Sequence, residues 1–268
     1  GLATSDNEKY LRLWHEVSFN QTKLDCGSCE EALASEYKWF PYNKGGGTRK
    51  WYGNQNFLIA FDRANYEILA TMGNHLPSRH LYFTPSLSWS LISSIGTAFR
   101  QYPKGFIFDV AGMSILTDDI SLLGFLNSSL CKSLLQIIAP TINCQVGDVA
   151  SLPCVNNTKC VLISKENITI SKQDWDAHET SWDFQENELI VLQKEGLGTI
   201  TAGFGETTVM KYSDLELLYM EYVAKWREKF MQLHKNDEEW FEINRNLVFV
   251  IGVLGNGTES TGVVNTCK

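Results

Sequence analysis

No apolar run in the 268 residues approaches the roughly 20 needed to cross a bilayer as a helix, which excludes a helical membrane span. Catalytic signatures are missing as well. There is no P-loop, no GxSxG elbow and no HExxH, and His15, His75, His80, His178 and His234 show no ligand spacing. The glycines at 45–47, 196–198 and 203–205 lack the placement and spacing of a dinucleotide fingerprint. The carboxylate pairs Asp118/Asp119 and Asp174/Asp176 read as a helix cap and a solvated face rather than as general acid–base pairs. Such a chain reads as a binding module rather than an enzyme in its own right. Positive charge is scarce too: 23 Lys and Arg stand against 31 Asp and Glu, a net charge of −8, which argues against a protein that coats nucleic acid nonspecifically. A local basic face is not excluded, because steering depends on the local field. Acid gathers at 165–188 and 206–242, while 38–104 is locally basic. The start, GLATSDNEKY, has no Met, no basic n-region and no apolar h-region, the pattern of a fragment or processed chain rather than a signal peptide. These features fit the cytoplasm.

Seven Cys is an odd number for a disulfide framework, and Cys26, Cys29, Cys131, Cys144, Cys154, Cys160 and Cys267 read as reduced thiols, mostly buried. The CxxC of Cys26 and Cys29 has no second pair or spaced His with which to hold zinc. It also lacks the preceding strand of a thioredoxin-like site, so both thiols read as incidental.

What is present is an ordered core: 44% of residues are hydrophobic and 12% aromatic, enough for one large domain or two smaller ones. Residues 28–37 read as a short helix capped by Ser28. Strands are expected at 56–61, 81–84, 88–94 and 105–112, the last being the strongest, with polar turns across 62–80. From 118 to 138 the period becomes helical, with Asp118 or Asp119 as cap and Pro140 beyond the end. Gly147 and Asp148 mark a turn. A long helix is expected from Ser213, with Glu216 completing a capping box, to about Trp240. The fold class is α+β: residues 1–153 form a mixed, mostly antiparallel sheet domain with flanking helices, and residues 154–268 form a mainly helical region.

Residues 38–54, KWFPYNKGGGTRKWYGN, concentrate positive charge, flat aromatic surface and backbone freedom more tightly than any other stretch. Arg and Lys neutralise phosphates and reach base edges, Trp and Tyr can stack on bases, and glycine permits close approach. That composition suits a nucleic-acid contact loop. On composition alone the plainer reading, a hairpin with half-core aromatics and solvated cations, is the commoner one.

Six blocks in order carry a resemblance: LATSDNEKYLRLWHEVSF (2–19), KWFPYNKGGGTRKWY (38–52), WSLIS (89–93), GFIFDVAG (105–112), PTINCQVGDVASLP (140–153) and ENITISKQDWDAHETSWDF (166–184). Over about residues 1–240 the chain resembles the C-terminal target-recognition half of the PglX family. These are adenine-specific DNA methyltransferases of BREX phage-defence systems, related to type II and IIL restriction–modification methylases. The resemblance implies that S-adenosylmethionine and the Asn-Pro-Pro-Tyr motif belong to a catalytic half that this sequence lacks. It implies a recognition domain whose closing segment, with Gln145, Asp148 and Pro153, is similar to that of type I specificity subunits. The implied partners are double-stranded DNA, the N-terminal methyltransferase domain of the same protein and other defence-system proteins, with no membrane. On that footing the DNA contacts are expected at Lys44, Arg49, Lys50, Trp51 and Tyr52, with Lys38, Asn43 and Asn54 as polar helpers and Arg79, Arg100 and Lys104 on phosphates. The tail at 243–268 departs from the family pattern and receives no function.

Two other readings compete. A protein–protein module would use the acidic second half to dock other defence components or the missing catalytic domain. A hidden nuclease would pair Asp109 with Asp118 or Asp119, although GFIFDVAG reads more simply as a core strand.

Overall fold

The computed structural model describes residues 1–73, 75–153, 160–194 and 212–243, with backbone alone at 212–214 and 237–243. Two small sheets carry the first half. One runs β1 (Leu11–Leu13), β3 (Phe57–Ala60), β2 (Trp39–Asn43), β6 (Ile107–Phe108). Its neighbours are antiparallel except β2 and β6, which pair in parallel at Tyr42↔Ile107 and Asn43↔Phe108. Pro41 sits short of that two-residue ladder, where its missing N–H leaves no gap. The second sheet, β5 (Arg100–Tyr102), β4 (Ser86–Ser90), β7 (Gly112–Ile115), is antiparallel throughout. The α+β class with a mostly antiparallel sheet is therefore observed.

Each sheet has its own apolar cluster. Under the first, Phe61 meets Phe40, Tyr66, Tyr82 and Phe83 edge to face at 5.4–6.4 Å between ring centroids, a geometry that suits aromatic quadrupoles. Under the second, Trp51, Leu87, Trp89 and Phe99 pack against Leu123, Phe125, Leu126 and Leu135.

Helices α1 (Asn7–Tyr10) and α2 (Cys29–Ala34) lie on the first half, the latter capped by Ser28 as expected, its hydroxyl accepting from Glu31 N at 3.1 Å. Several expectations are corrected. The polar stretch 62–80 contains α3 (Arg63–Thr71), started by Asp62, which accepts from Asn65 N. Residues 81–84 form no strand; Tyr82 and Phe83 instead leave a short 3-10 turn and enter the core. The run 105–112 does not stay straight, because Asp109 turns the chain, accepting from Ala111 N at 3.2 Å, and splits it between β6 and β7.

Residues 118–138 are two helices, α4 (Ile120–Asn127) and α5 (Ser129–Ile138), bent by 68°. Ser128 makes the break, donating to Phe125 O and accepting from Cys131 N, while Asp119 caps α4. Gln145 and Asp148 close a capping box on α6 (Val146–Ala150), a helix where a turn was expected.

Beyond residue 160 the described elements are helical: α7 (Cys160–Asp176), α8 (Glu188–Lys194) and α9 (Tyr212–Ile243). Ser213 lies within the described span of α9, so it is inside the helix rather than capping it. Among the described residues no single helix is long and apolar enough to cross a membrane.

Gly105 has φ +106°, and a Cβ there would lie 2.1 Å from Leu24 O. Gly105→Ala is expected to cost about 2–4 kcal/mol in urea unfolding, with an unchanged m-value. Gly73→Ala, with φ +94° but open space around it, is expected to cost only about 1 kcal/mol.

Candidate nucleic-acid interface

The stretch expected to be a loop begins as a strand. β2 delivers Asn43 to the end of the first sheet, and residues 44–50 then cross to the second. There Trp51 joins the edge of β5: Trp51 N donates to Phe99 O at 2.8 Å, and Gln101 N donates to Trp51 O at 2.9 Å. Gly45 takes φ +77° and passes so close to Ala111 O that a Cβ would sit 2.9 Å from it. A side chain at that position would have to displace the Ala111 carbonyl.

This crossing decides which side chains are available. Trp51 and Tyr52 are 5% and 8% exposed. Strand pairing turns Trp51 into the second cluster, and its neighbour Tyr52 is enclosed beneath the Lys172 ammonium, 5.1 Å from the ring centroid. Neither ring offers a stacking face. Asn43 is buried as well, donating to Ser88 Oγ at 2.7 Å and accepting from Gly45 N at 3.1 Å. Asn54 is turned onto the loop, where it donates to Gly47 O at 2.9 Å.

Arg100, expected on a phosphate, has no exposed surface. Its Nη1 donates to Gly47 O at 3.3 Å and Arg49 O at 3.4 Å, its Nη2 to Gly46 O at 3.5 Å and Ser90 Oγ at 3.1 Å, and its Nε to Tyr102 OH at 3.3 Å. Burial pushes the Tyr102 hydroxyl up, so it stays protonated and donates to Asn54 O at 3.2 Å. The guanidinium is the internal post around which the glycine loop is folded.

The remaining cations fall at opposite ends of β2. At the loop end, Lys44 pairs with the buried Asp109 at 3.0 Å, and Asp109 is spent on that pair and on Ala111 N rather than on a metal. Arg49 pairs with Asp174 on α7 and lies 5.1 Å over the Trp175 ring, its Nε buried without a partner. Lys50 is exposed and donates to Asn127 O at 2.9 Å, the end of α4. At the other end, exposed Lys38 lies over the Trp39 ring, Arg79 donates to Tyr66 OH at 3.1 Å, and Lys104 is also exposed. Lys38, Lys50, Arg79 and Lys104 make no ion pair with a described carboxylate.

No family model matches the chain. It is 30% identical, over 271 aligned residues covering 98% of its length, to adenine-specific methyltransferase BrxX of Escherichia coli O9:H4 (strain HS). It is also 30% identical, over 266 aligned residues covering 94% of its length, to adenine-specific methyltransferase PglX of Lacticaseibacillus casei (strain Zhang). The chain is similar to one fifth of an adenine-specific methyltransferase. It spans 20% and 21% of those relatives' own lengths. The resemblance carried by the six blocks is borne out.

Asp174 and Asp176 are not the plain solvated face expected of them. Asp174 anchors the loop through Arg49, and Asp176 shares Lys172 with Asp183, at 2.5 and 2.9 Å. Burial works against the Lys172 charge, but the two carboxylates outweigh it and hold the ammonium above its usual range. These partners lie in the acidic second half, and only the block around Asp174 hinted at them.

Among the described residues no group of three or more His, Cys, Asp or Glu is placed to hold a metal ion. Cys26 and Cys29 are buried, donating to Ser28 O and Arg79 O. Burial, then Glu30 and Cys26, push the Cys29 thiol up to about 11, which leaves it a poor nucleophile at neutral pH. Cys154 and Cys267 lie outside the described residues, as do the glycines at 196–198 and 203–205 and the tail beyond 243.

Two measurements follow from this geometry. A double-mutant cycle on Arg49→Ala and Asp174→Ala is expected to show coupling of about 0.5–1 kcal/mol in urea unfolding, the range of a half-exposed ion pair. The Cys29 thiol is favoured in the folded chain and its thiolate in the unfolded one. The stability this contributes is full below pH 9, the ordinary thiol value, and is lost as the pH rises toward 11. The urea midpoint of Cys29→Ala is therefore expected to fall less steeply across that window than that of the parent chain.

Proposed function

We propose that the chain holds duplex DNA and reads its sequence for an adenine-specific methyltransferase of a BREX phage-defence system, acting in the cytoplasm and carrying no catalytic residues of its own. The observation that carries this reading is the exposed backbone of residues 46–48, fixed from behind by Arg100 and flanked by Lys50, in a chain similar over nearly its whole length to adenine-specific methyltransferases. A methyltransferase that extrudes its target adenine needs a separate surface to grip the duplex and read flanking bases. A loop pinned between two sheets gives such a surface a defined register. Lys50 holds a phosphate beside the loop, and the exposed Lys38, Arg79 and Lys104 are further candidates for phosphate contacts. S-adenosylmethionine and the flipped base would be held by the remaining four fifths of the protein, the N-terminal methyltransferase domain being the chain's first partner.

A second reading rests on helix α9. Leu217, Met220, Phe230 and Met231 are 58–61% exposed along it, apolar surface suited to docking against protein. In that reading the acidic helical half binds the methyltransferase domain or another defence-system protein.

Fluorescence anisotropy with a randomised duplex set distinguishes the two. Sequence-dependent binding is expected, weakening with salt, with a slope reduced by about one for Lys50→Ala and about tenfold weaker binding for Arg49→Ala with Lys50→Ala. Binding unchanged in the double variant removes the loop from the interface. No binding to any duplex, with capture of the methyltransferase domain, supports the α9 reading instead.

A further inference from the structure

The peptide bonds of the glycine loop are all trans, and in a trans peptide the C=O of one residue and the N–H of the next point in opposite directions. Three carbonyls of this loop point inward. Gly46 O receives Arg100 Nη2 and the Ser90 hydroxyl; Gly47 O receives Arg100 Nη1 at 3.3 Å and Asn54 Nδ2 at 2.9 Å; Arg49 O receives Arg100 Nη1 at 3.4 Å. The N–H groups of Gly47, Thr48 and Lys50 therefore face the other way, and none has an acceptor among the described residues. Gly46, Gly47, Thr48 and Lys50 are exposed, and a Cβ added at Gly46 would meet nothing within 4 Å. The hydroxyls of Thr48 and Ser93 stand 3.2 Å apart on the same rim. Ser93 gives its proton to Gly96 O at 2.7 Å, so the Thr48 hydroxyl donates to Ser93 Oγ, a long bond that it can exchange for a ligand oxygen.

Behind these donors lies a fully buried guanidinium with no carboxylate in ion-pair range among the described residues. A buried charge without a counter-charge is costly. The loop answers it only with carbonyl dipoles, whose positive ends, the amides, are directed at solvent. Arg49 N donates back to Gly47 O at 3.1 Å, so the Thr48 carbonyl shares the outer face with these three amides; there they stand beside the Thr48 hydroxyl, over the guanidinium, and with open space at Gly46. Backbone amides so arranged make an anion seat.

We infer that residues 46–50 form a phosphate-binding cradle in which the amides of Gly47, Thr48 and Lys50 and the Thr48 hydroxyl hold phosphate oxygens, with Arg100 as a buried positioning residue that supplies the field without touching the ligand. The chemistry is that of a phosphate group. That it belongs to a duplex backbone rests on the DNA-binding reading above.

The test is a ¹H–¹⁵N titration of the 268-residue chain, first with inorganic phosphate against chloride at matched ionic strength, then with a short duplex. The three amides are expected to shift saturably with phosphate and with duplex, but not with chloride. Thr48→Glu, at an exposed position, is expected to abolish the phosphate response and to weaken duplex binding about tenfold, with the salt slope lowered by about one. Arg100→Lys, which keeps the charge, is expected to retain more of the phosphate response than Arg100→Gln, which keeps donors alone, both being compared only if their spectra are folded. The cradle is overturned if the three amides stand still under phosphate and duplex while the rest of the spectrum marks a folded chain. It is equally overturned if duplex binds and shifts other amides alone, which leaves DNA recognition standing. If phosphate moves the three amides and no duplex binds, the cradle stands and the DNA reading falls.

Discussion

Asn43 ends the central strand of one sheet and, through its side chain, begins the connection to the other, donating to Ser88 Oγ while accepting from Gly45 N. Both bonds are buried, so losing either partner would strand a polar group away from water. Ser88 passes the connection on to Met113 O at 2.7 Å, and Gly112 lies so close that a Cβ there would meet Asn43 O at 2.4 Å. The two sheets are thereby held at backbone distance, and the segment between them has one path to follow. That path brings the carbonyls of Gly46, Gly47 and Arg49 over the Arg100 guanidinium and seats Trp51 in the second cluster.

The same constraint decides where the charge of the crossing goes. Two cations of the crossing are neutralised from within: Lys44 by Asp109, Arg49 by Asp174. Exposed Lys50 and buried Arg100 make no ion pair with a described carboxylate, and Arg100 is met instead by the carbonyls of Gly46, Gly47 and Arg49. The constraint also ties the loop to the helical half, because Asp174 and Trp175 on α7 form the wall against which Arg49 rests. A shift of α7 would be felt in the loop.

Features with local causes were legible in the sequence. The caps at Ser28 and Asp119 depend on side chains within a turn of the backbone they serve, and they appear where expected; the long helix α9 is there as well, although Ser213 does not cap it. The α+β class and the resemblance to adenine-specific methyltransferases were legible for a similar reason, since both are carried by contiguous blocks. Helix α3 was not, because Leu69 is its one buried residue and so little periodicity shows. Nor was the splitting of 105–112, where a turn at Asp109 overrides an apolar run that otherwise reads as strand.

The chemistry of residues 38–54 divides along the same line. Composition alone determined that cations, aromatics and glycines would be concentrated there. Only the tertiary structure decided that Trp51 and Tyr52 are core, that Arg100 is an internal post, and that Lys50 and the bare backbone of 46–48 are what the surface offers. The contacts responsible join residues far apart in the chain: Arg49 to Asp174 across 125 positions, Lys50 to Asn127 across 77, Arg100 to Gly47 across 53. Which side of a loop faces solvent is set by what the other side is bonded to, and partners at that distance leave no periodic or local trace in the sequence.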